Sequence, residues 1–94
     1  MVKRKQSLLE RRTELLAELH ELDDLVVGSF FERKVNGIKR LCLSRMVGGT
    51  QRQIYISIEH GEKVSRGVRQ YKRATEILRE LGEINLALIK KGDL

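Results

Sequence analysis

The side chains that could act in catalysis or metal binding are few and stand far apart in the chain. His20 lies in an acidic stretch, His60 precedes Gly61, and Cys42 is the single cysteine. A nucleophile needs a base and an orienting group nearby, and a metal site needs several ligands at short spacing. Neither pattern surrounds these residues. We therefore predict no catalytic residue, no metal ligand and no cofactor, and we expect that the protein is not an enzyme.

One glycine pair suggests a phosphate-binding loop by composition alone. Gly48-Gly49-Thr50 has the glycines of such a loop, but it lacks the Gly-Lys-Ser/Thr ending and the helix that should follow. Two adjacent glycines between stretches of alternating polarity are typical of a tight turn between strands. We predict a hairpin turn at this place.

Positive charge is concentrated in the middle of the chain. The 94 residues carry 19 Lys and Arg against 13 Asp and Glu, a net charge of +6, and the pI is about 9.8. Residues 28–75 alone hold eleven basic side chains and three acidic ones. Basic side chains contact phosphates, and strands can enter the major groove of DNA. The sequence predicts a DNA-binding surface made of Arg40, Arg45 and Arg52 on a sheet and Arg66, Arg69 and Arg73 on the following helix.

The same charges also fit an ordinary solvated exterior. Helical arginines often pair with nearby acids, as Arg69, Arg73 and Arg79 could with Glu76, Glu80 and Glu83. Arg45 shares strand parity with apolar neighbours, so its side chain can point inward. The alternative function is an adaptor module that binds a partner protein through amphipathic helices.

The chain from Gly28 onward resembles a family of small prokaryotic proteins that contain a domain of unknown function and are often encoded near transposase genes. The matching pieces are Gly28-Ser29-Phe30, Leu43-Ser44-Arg45, Val47-Gly48-Gly49, Tyr55-Ile56 and Glu83-Ile84-Asn85-Leu86. Many members carry a cysteine-rich insertion between the first two strands, where this chain has only the turn Asn36-Gly37. The resemblance therefore implies no metal role here, and it implies no activity. The expected architecture is also similar to the arm-type DNA-binding domains of tyrosine recombinases.

Apolar spacing and glycine placement predict two helices around a central sheet. Leu8 and Leu15 begin a seven-residue repeat over about residues 6–27, and Ser7 with Glu10 fits a helix-capping box. Asn36-Gly37 and Gly48-Gly49 separate strands predicted at about 29–35, 38–47 and 52–58, with Ile58 on the apolar face. Helical spacing returns over about 62–91. Three short strands need a helix across one face.

We therefore expect a single α+β domain over residues 1–94, with an antiparallel three-stranded meander and two helices paired as a coiled-coil-like stalk. The helices carry more apolar surface than one partner can cover, so we expect a homodimer. The predicted oligomer interface consists of Leu8, Leu15, Leu19, Leu22, Leu78, Leu81 and Leu88. No apolar run approaches the ~18 residues of a membrane span. We expect a soluble, cytoplasmic, prokaryotic protein.

Overall fold

The predicted α+β architecture is confirmed by the computed structural model, which describes residues 6–94. The elements are α1 (Leu8–Glu21), β1 (Ser29–Val35), β2 (Ile38–Val47), β3 (Thr50–Ile56), a short 3-10 helix (Ile58–His60) and α2 (Gly61–Lys91). No helix within residues 6–94 combines the length and the apolar character that crossing a membrane requires.

The chain forms two compact units. The helical unit comprises residues 6–23 together with Arg73–Leu94, and the sheet unit comprises Asp24–Lys72. Helix α2 contributes residues to both units. Each unit has its own packing.

In the helical unit, α1 packs along residues 73–91 of α2 through one apolar cluster. The buried side chains are Leu15, Ile77, Leu81, Ile84 and Leu88, with Leu8, Leu19 and Leu22 partly buried against them. Leu15, Leu81 and Leu88 were predicted to form an oligomer interface, and the structure corrects that assignment. Because the chain buries these three side chains in its own core, they are not accessible to a second copy. Leu78 alone of the predicted set is largely exposed.

Helix α1 begins where the capping box predicts and ends earlier than the leucine repeat predicts. The hydroxyl of Ser7 accepts a hydrogen bond from the Glu10 amide at 3.1 Å, which satisfies one free N–H of the first turn. The helix ends at Glu21, six residues before the predicted end at residue 27. The Asp24 and Val26 amides are held by Gln70 and Gly67 on α2, at 3.1 and 3.0 Å. These tertiary hydrogen bonds replace the helical ones over this segment.

The sheet unit contains three antiparallel strands in the order β1-β2-β3. Both predicted two-residue turns are confirmed, since Asn36 and Gly37 have φ of 53° and 78°, and Gly48 and Gly49 have φ of 56° and 82°. The second turn pairs Val47 with Thr50, so β3 starts at residue 50 and not at 52. It ends at Ile56, and Ile58 lies in the 3-10 helix with 81% of its surface exposed, off the predicted apolar face.

The two faces of the sheet differ in what covers them. The inner face carries Phe30, Leu41 and Leu43, and the start of α2 lies against it, because a Cβ atom at Gly61 would stand 2.5 Å from Leu41 Cδ1. The outer face consists of Ser29, Phe31, Arg33, Val35, Ile38, Arg40, Cys42, Ser44, Met46, Gln51, Gln53 and Tyr55. Its basic, amide and aromatic side chains are mostly exposed. The apolar residues under the start of α2 thus lie on the inner face, and Cys42 and Ser44 are the buried residues of the outer face.

Candidate nucleic-acid interface

The register of the sheet places cations directly opposite cations. Three cross-strand pairs have this arrangement: Arg33 with Arg40, Lys34 with Lys39, and Arg45 with Arg52. Like charges at directly opposed positions destabilise an antiparallel sheet. Lys39 relieves part of this repulsion through an exposed ion pair with Glu32 at 3.3 Å. Among the described residues, Arg40, Arg45 and Arg52 have no carboxylate partner, so the sheet carries uncompensated positive charge.

The three arginines predicted on the sheet are all exposed, but they do not share one face. Arg40 lies on the outer face, whereas Arg45 and Arg52 lie on the inner face next to the Gly48-Gly49 turn. Arg45 has the inward parity of Leu43 but stays exposed, because the buried stretch of β2 ends at Ser44. The basic surface therefore extends over both faces of the sheet at its uncovered parts.

Two of the three arginines predicted on α2 belong to the sheet unit and are exposed. Arg69 donates a hydrogen bond to the Ser65 hydroxyl at 2.8 Å. Arg66 lines a shallow depression together with Asp24, Val26 and Lys63. Neither arginine forms an ion pair within the described residues, so both guanidinium groups can contact a phosphate.

Arg73 does not belong to this surface, which corrects the sequence prediction. It lies in the helical unit, where Nε and Nη2 donate to the two carboxylate oxygens of Glu18 and Nη1 lies 3.3 Å from Glu76 Oε2. Hydrogen bonding to Glu18 raises the pKa of Arg73, and the same bond lowers the pKa of Glu18. Pairing of Arg73 with Glu76 was predicted from their spacing. Because two carboxylates hold it, Arg73 is not free to bind phosphate.

A second ion pair joins the same two helices. Arg11 Nε and Nη2 donate to Glu80 at 2.5 and 3.2 Å. These hydrogen bonds lower the pKa of the Glu80 carboxyl and raise that of Arg11. Since the folded-state pKa values of Glu18 and Glu80 are lowered, both pairs stabilise the helical unit above the pKa of an unfolded glutamate. That contribution is lost as the pH falls through the lowered values.

Two aromatic rings stand in one row on the outer face. Phe31 and Tyr55 both pair with Cys42, which lies between them on the central strand and is 1% exposed. Tyr55 is 65% exposed, and the Arg40 guanidinium lies over its ring, 5.8 Å from the ring centre. The rings are not among the residues predicted from the sequence. Because each hairpin turn has two residues, the pairing of the strands can be counted outward from the turns. That count places Phe31 and Tyr55 in one row with Cys42.

The two histidines and the cysteine do not come together in a site within residues 6–94. His20 and His60 are exposed, with His60 Nε2 3.9 Å from Glu59 Oε1, and Cys42 is buried. Over residues 6–94, no group of three or more His, Cys, Asp or Glu side chains could hold a metal ion.

Exposed apolar side chains also occur in the helical unit, on one side of the helix pair. Arg12 Nε donates to Asn85 Oδ1 at 2.9 Å and marks this side. Leu9, Leu16, Leu78 and Ile89 stand at helical spacing around these two residues and are each about half exposed. These four side chains form an exposed apolar side of the helix pair.

Comparisons with protein-family models, with curated proteins and with solved structures found no match to this chain, so the resemblance to the small prokaryotic proteins stays a prediction.

Proposed function

We propose that this protein is a DNA-binding accessory factor that contacts phosphates through the basic surface of its sheet unit. The observation that carries the proposal is the set of three opposed cation pairs in the sheet. Each pair costs stability in the isolated chain, and a polyanion lying over the sheet would offset the cost. The contacting side chains are Arg40, Arg45, Arg52, Arg66 and Arg69.

The first test neutralises one opposed pair and measures the salt dependence of binding. In the double variant Arg45→Gln/Arg52→Gln, affinity for random-sequence duplex DNA should fall, and the slope of log affinity against log salt should flatten by about two. Fluorescence anisotropy of a labelled duplex, in a salt series that starts at ~50 mM, measures both quantities. Because the like-charge pair is gone, the free variant should also resist urea slightly better than the unmodified protein.

The matched control is Lys90→Gln/Lys91→Gln, which removes the same charge from the exposed end of α2 in the helical unit. This variant should keep the original salt slope. Equal weakening by both double variants would mean that only the total charge of the chain matters. Absence of binding by the unmodified protein at ~50 mM salt, where nonspecific binding is strong, would contradict the proposal.

A second candidate function is supported by the exposed leucines and isoleucine of the helical unit. An adaptor or oligomerisation module would cover Leu9, Leu16, Leu78 and Ile89, and a second copy of the same helix pair would do so in a four-helix arrangement. We propose that the homodimer expected from the sequence forms through this side, and not through the buried leucines.

Light scattering of the unmodified protein and of two variants tests this dimer. The unmodified protein should be dimeric at micromolar concentration, and Leu78→Asp should be monomeric, because a charge at a closed interface loses its hydration. Leu25, which is 43% exposed and lies in the sheet unit, is the control, and Leu25→Asp should leave the dimer intact. A monomeric unmodified protein would contradict this second candidate.

A further inference from the structure

We infer that the outer face of the sheet takes single-stranded DNA, with bases stacked on Tyr55 and Phe31. This inference rests on the proposed function, since the basic residues of the sheet unit would supply the phosphate contacts. Base stacking on aromatic rings is largely independent of base identity, because every base has a flat π face.

The row formed by Phe31, Cys42 and Tyr55 has the geometry of a stacking platform. Neighbouring strands lie about 4.8 Å apart, so the backbones under the two rings are separated by about 10 Å across the central strand. Cys42 lies between them, carries a small side chain and is 1% exposed. Because side chains of one row project from the same face, two bases of one strand can each find a ring.

Tyr55 is exposed beside a positive charge, which leaves its ring accessible to a base. About two thirds of the tyrosine is open to solvent, at 65% exposure, and its described ring contact is with the exposed guanidinium of Arg40. Arginine also stacks on bases and attracts the phosphate that follows. A base that settles beside these two groups gains stacking area and a neutralised phosphate in one place.

Polar side chains surround the row on the outer face. Gln51 Nε2 donates to the Ser44 hydroxyl at 2.7 Å, and Arg33 donates to Gln53 Oε1 at 3.3 Å. Selective recognition of RNA needs polar groups that read the 2′-hydroxyl. The assignment to DNA rests on the proposed function, and the comparison with oligo(U) tests it.

Duplex DNA cannot use the rings in this way, since its base faces are already stacked on one another. Duplex binding should therefore depend on the arginines alone, and single-strand binding should depend on the arginines and on Tyr55. This difference separates the stacking inference from the phosphate contacts on which it rests.

The test measures binding of oligo(dT) of about 15 nucleotides and of a duplex by the full-length protein and its variants. Tyr55→Ala should weaken oligo(dT) binding about tenfold, and it should leave duplex affinity and both salt slopes unchanged. Tyr55→Phe keeps the π face and should bind as the unmodified protein does. Met46→Ala is the matched control, since Met46 lies on the same face and is also 65% exposed, and it should have no effect.

Intrinsic fluorescence gives a second measurement that reports the ring itself. The chain has no Trp and two Tyr, so in Tyr71→Phe the remaining tyrosine signal comes from Tyr55. Oligo(dT) should quench this signal as a base stacks on the ring, and duplex DNA should not.

Unchanged oligo(dT) affinity in Tyr55→Ala, with duplex binding intact, would overturn the stacking inference and leave the phosphate contacts standing. An equal loss of duplex affinity in that variant would also overturn it. Binding of oligo(U) more than tenfold tighter than oligo(dT) would overturn the assignment to DNA. No binding to any of these strands at ~50 mM salt would overturn the proposed function along with the inference.

Discussion

Leu15→Asp should unfold the helical unit, whereas Leu16→Asp, one residue further along the same helix, should leave it folded. Leu15 is 1% exposed in the cluster with Ile77 and Leu81, and Leu16 is 43% exposed. Truncating a buried leucine costs about 2–5 kcal/mol, and an unpaired buried carboxylate adds to that cost. The total is comparable to the ~5–15 kcal/mol that holds a small domain together.

Circular dichroism and urea denaturation measure this difference. Leu15→Asp should lose helical signal in the absence of urea. Leu16→Asp, which lies on the side proposed for the dimer, should keep that signal and unfold close to the midpoint of the monomeric Leu78→Asp variant. A loss that appears only at low protein concentration would point to subunit dissociation and not to a cavity in the chain's own core. Equal stability of the two variants would contradict the packing of α1 on α2.

Gly67→Ala should destabilise the protein, whereas Gly82→Ala in the same helix should stabilise it. A Cβ atom at Gly67 would stand 2.5 Å from the Asp24 carbonyl oxygen and 2.5 Å from Val26 Cγ2, and the carbonyl belongs to the backbone. The clash should cost about 1–3 kcal/mol and should disturb the hydrogen bond from the Val26 amide to the Gly67 carbonyl. Alanine gains about 1 kcal/mol in helix propensity, which offsets only part of that cost.

Gly82 is the control for helix propensity because nothing lies within 4 Å of a Cβ atom there. Alanine at this position should raise the free energy of unfolding by about 0.4–1 kcal/mol. Urea midpoints of the two variants should therefore move in opposite directions. If Gly67→Ala were stabilised to the same extent, the segment at Asp24 and Val26 could not lie against α2 as described.

The sheet shows how much of the strand pairing local sequence patterns predict. Asn36-Gly37 and Gly48-Gly49 predicted both turns, and the turns set the strand register because a two-residue loop admits one pairing of its flanks. The opposed cation pairs and the aromatic row follow from that register. Ile58 was misplaced because its alternation with Ile54 and Ile56 continues past the residue where the chain turns into the 3-10 helix.

The helical unit shows what such local patterns do not predict. The leucine repeat marked the side chains that are buried, but not whether the chain itself or a second copy buries them. Leu15 and Leu88 meet their partners inside the chain, while Leu78, which stands seven residues after Tyr71, stays exposed. Repeats describe one face of one helix, and the partner of that face is a property of the packed structure.

The sequence by itself determined the α+β class, the order of elements, both turns and the excess of positive charge in the central part. These features depend on interactions between residues close in the chain. Only the tertiary structure decided that α1 ends at Glu21, where Gln70 and Gly67 bind the amides that follow, and that Arg73 is held by Glu18. These contacts join residues about 40 to 55 positions apart. Spacing along one segment does not indicate which distant side chain will contact it.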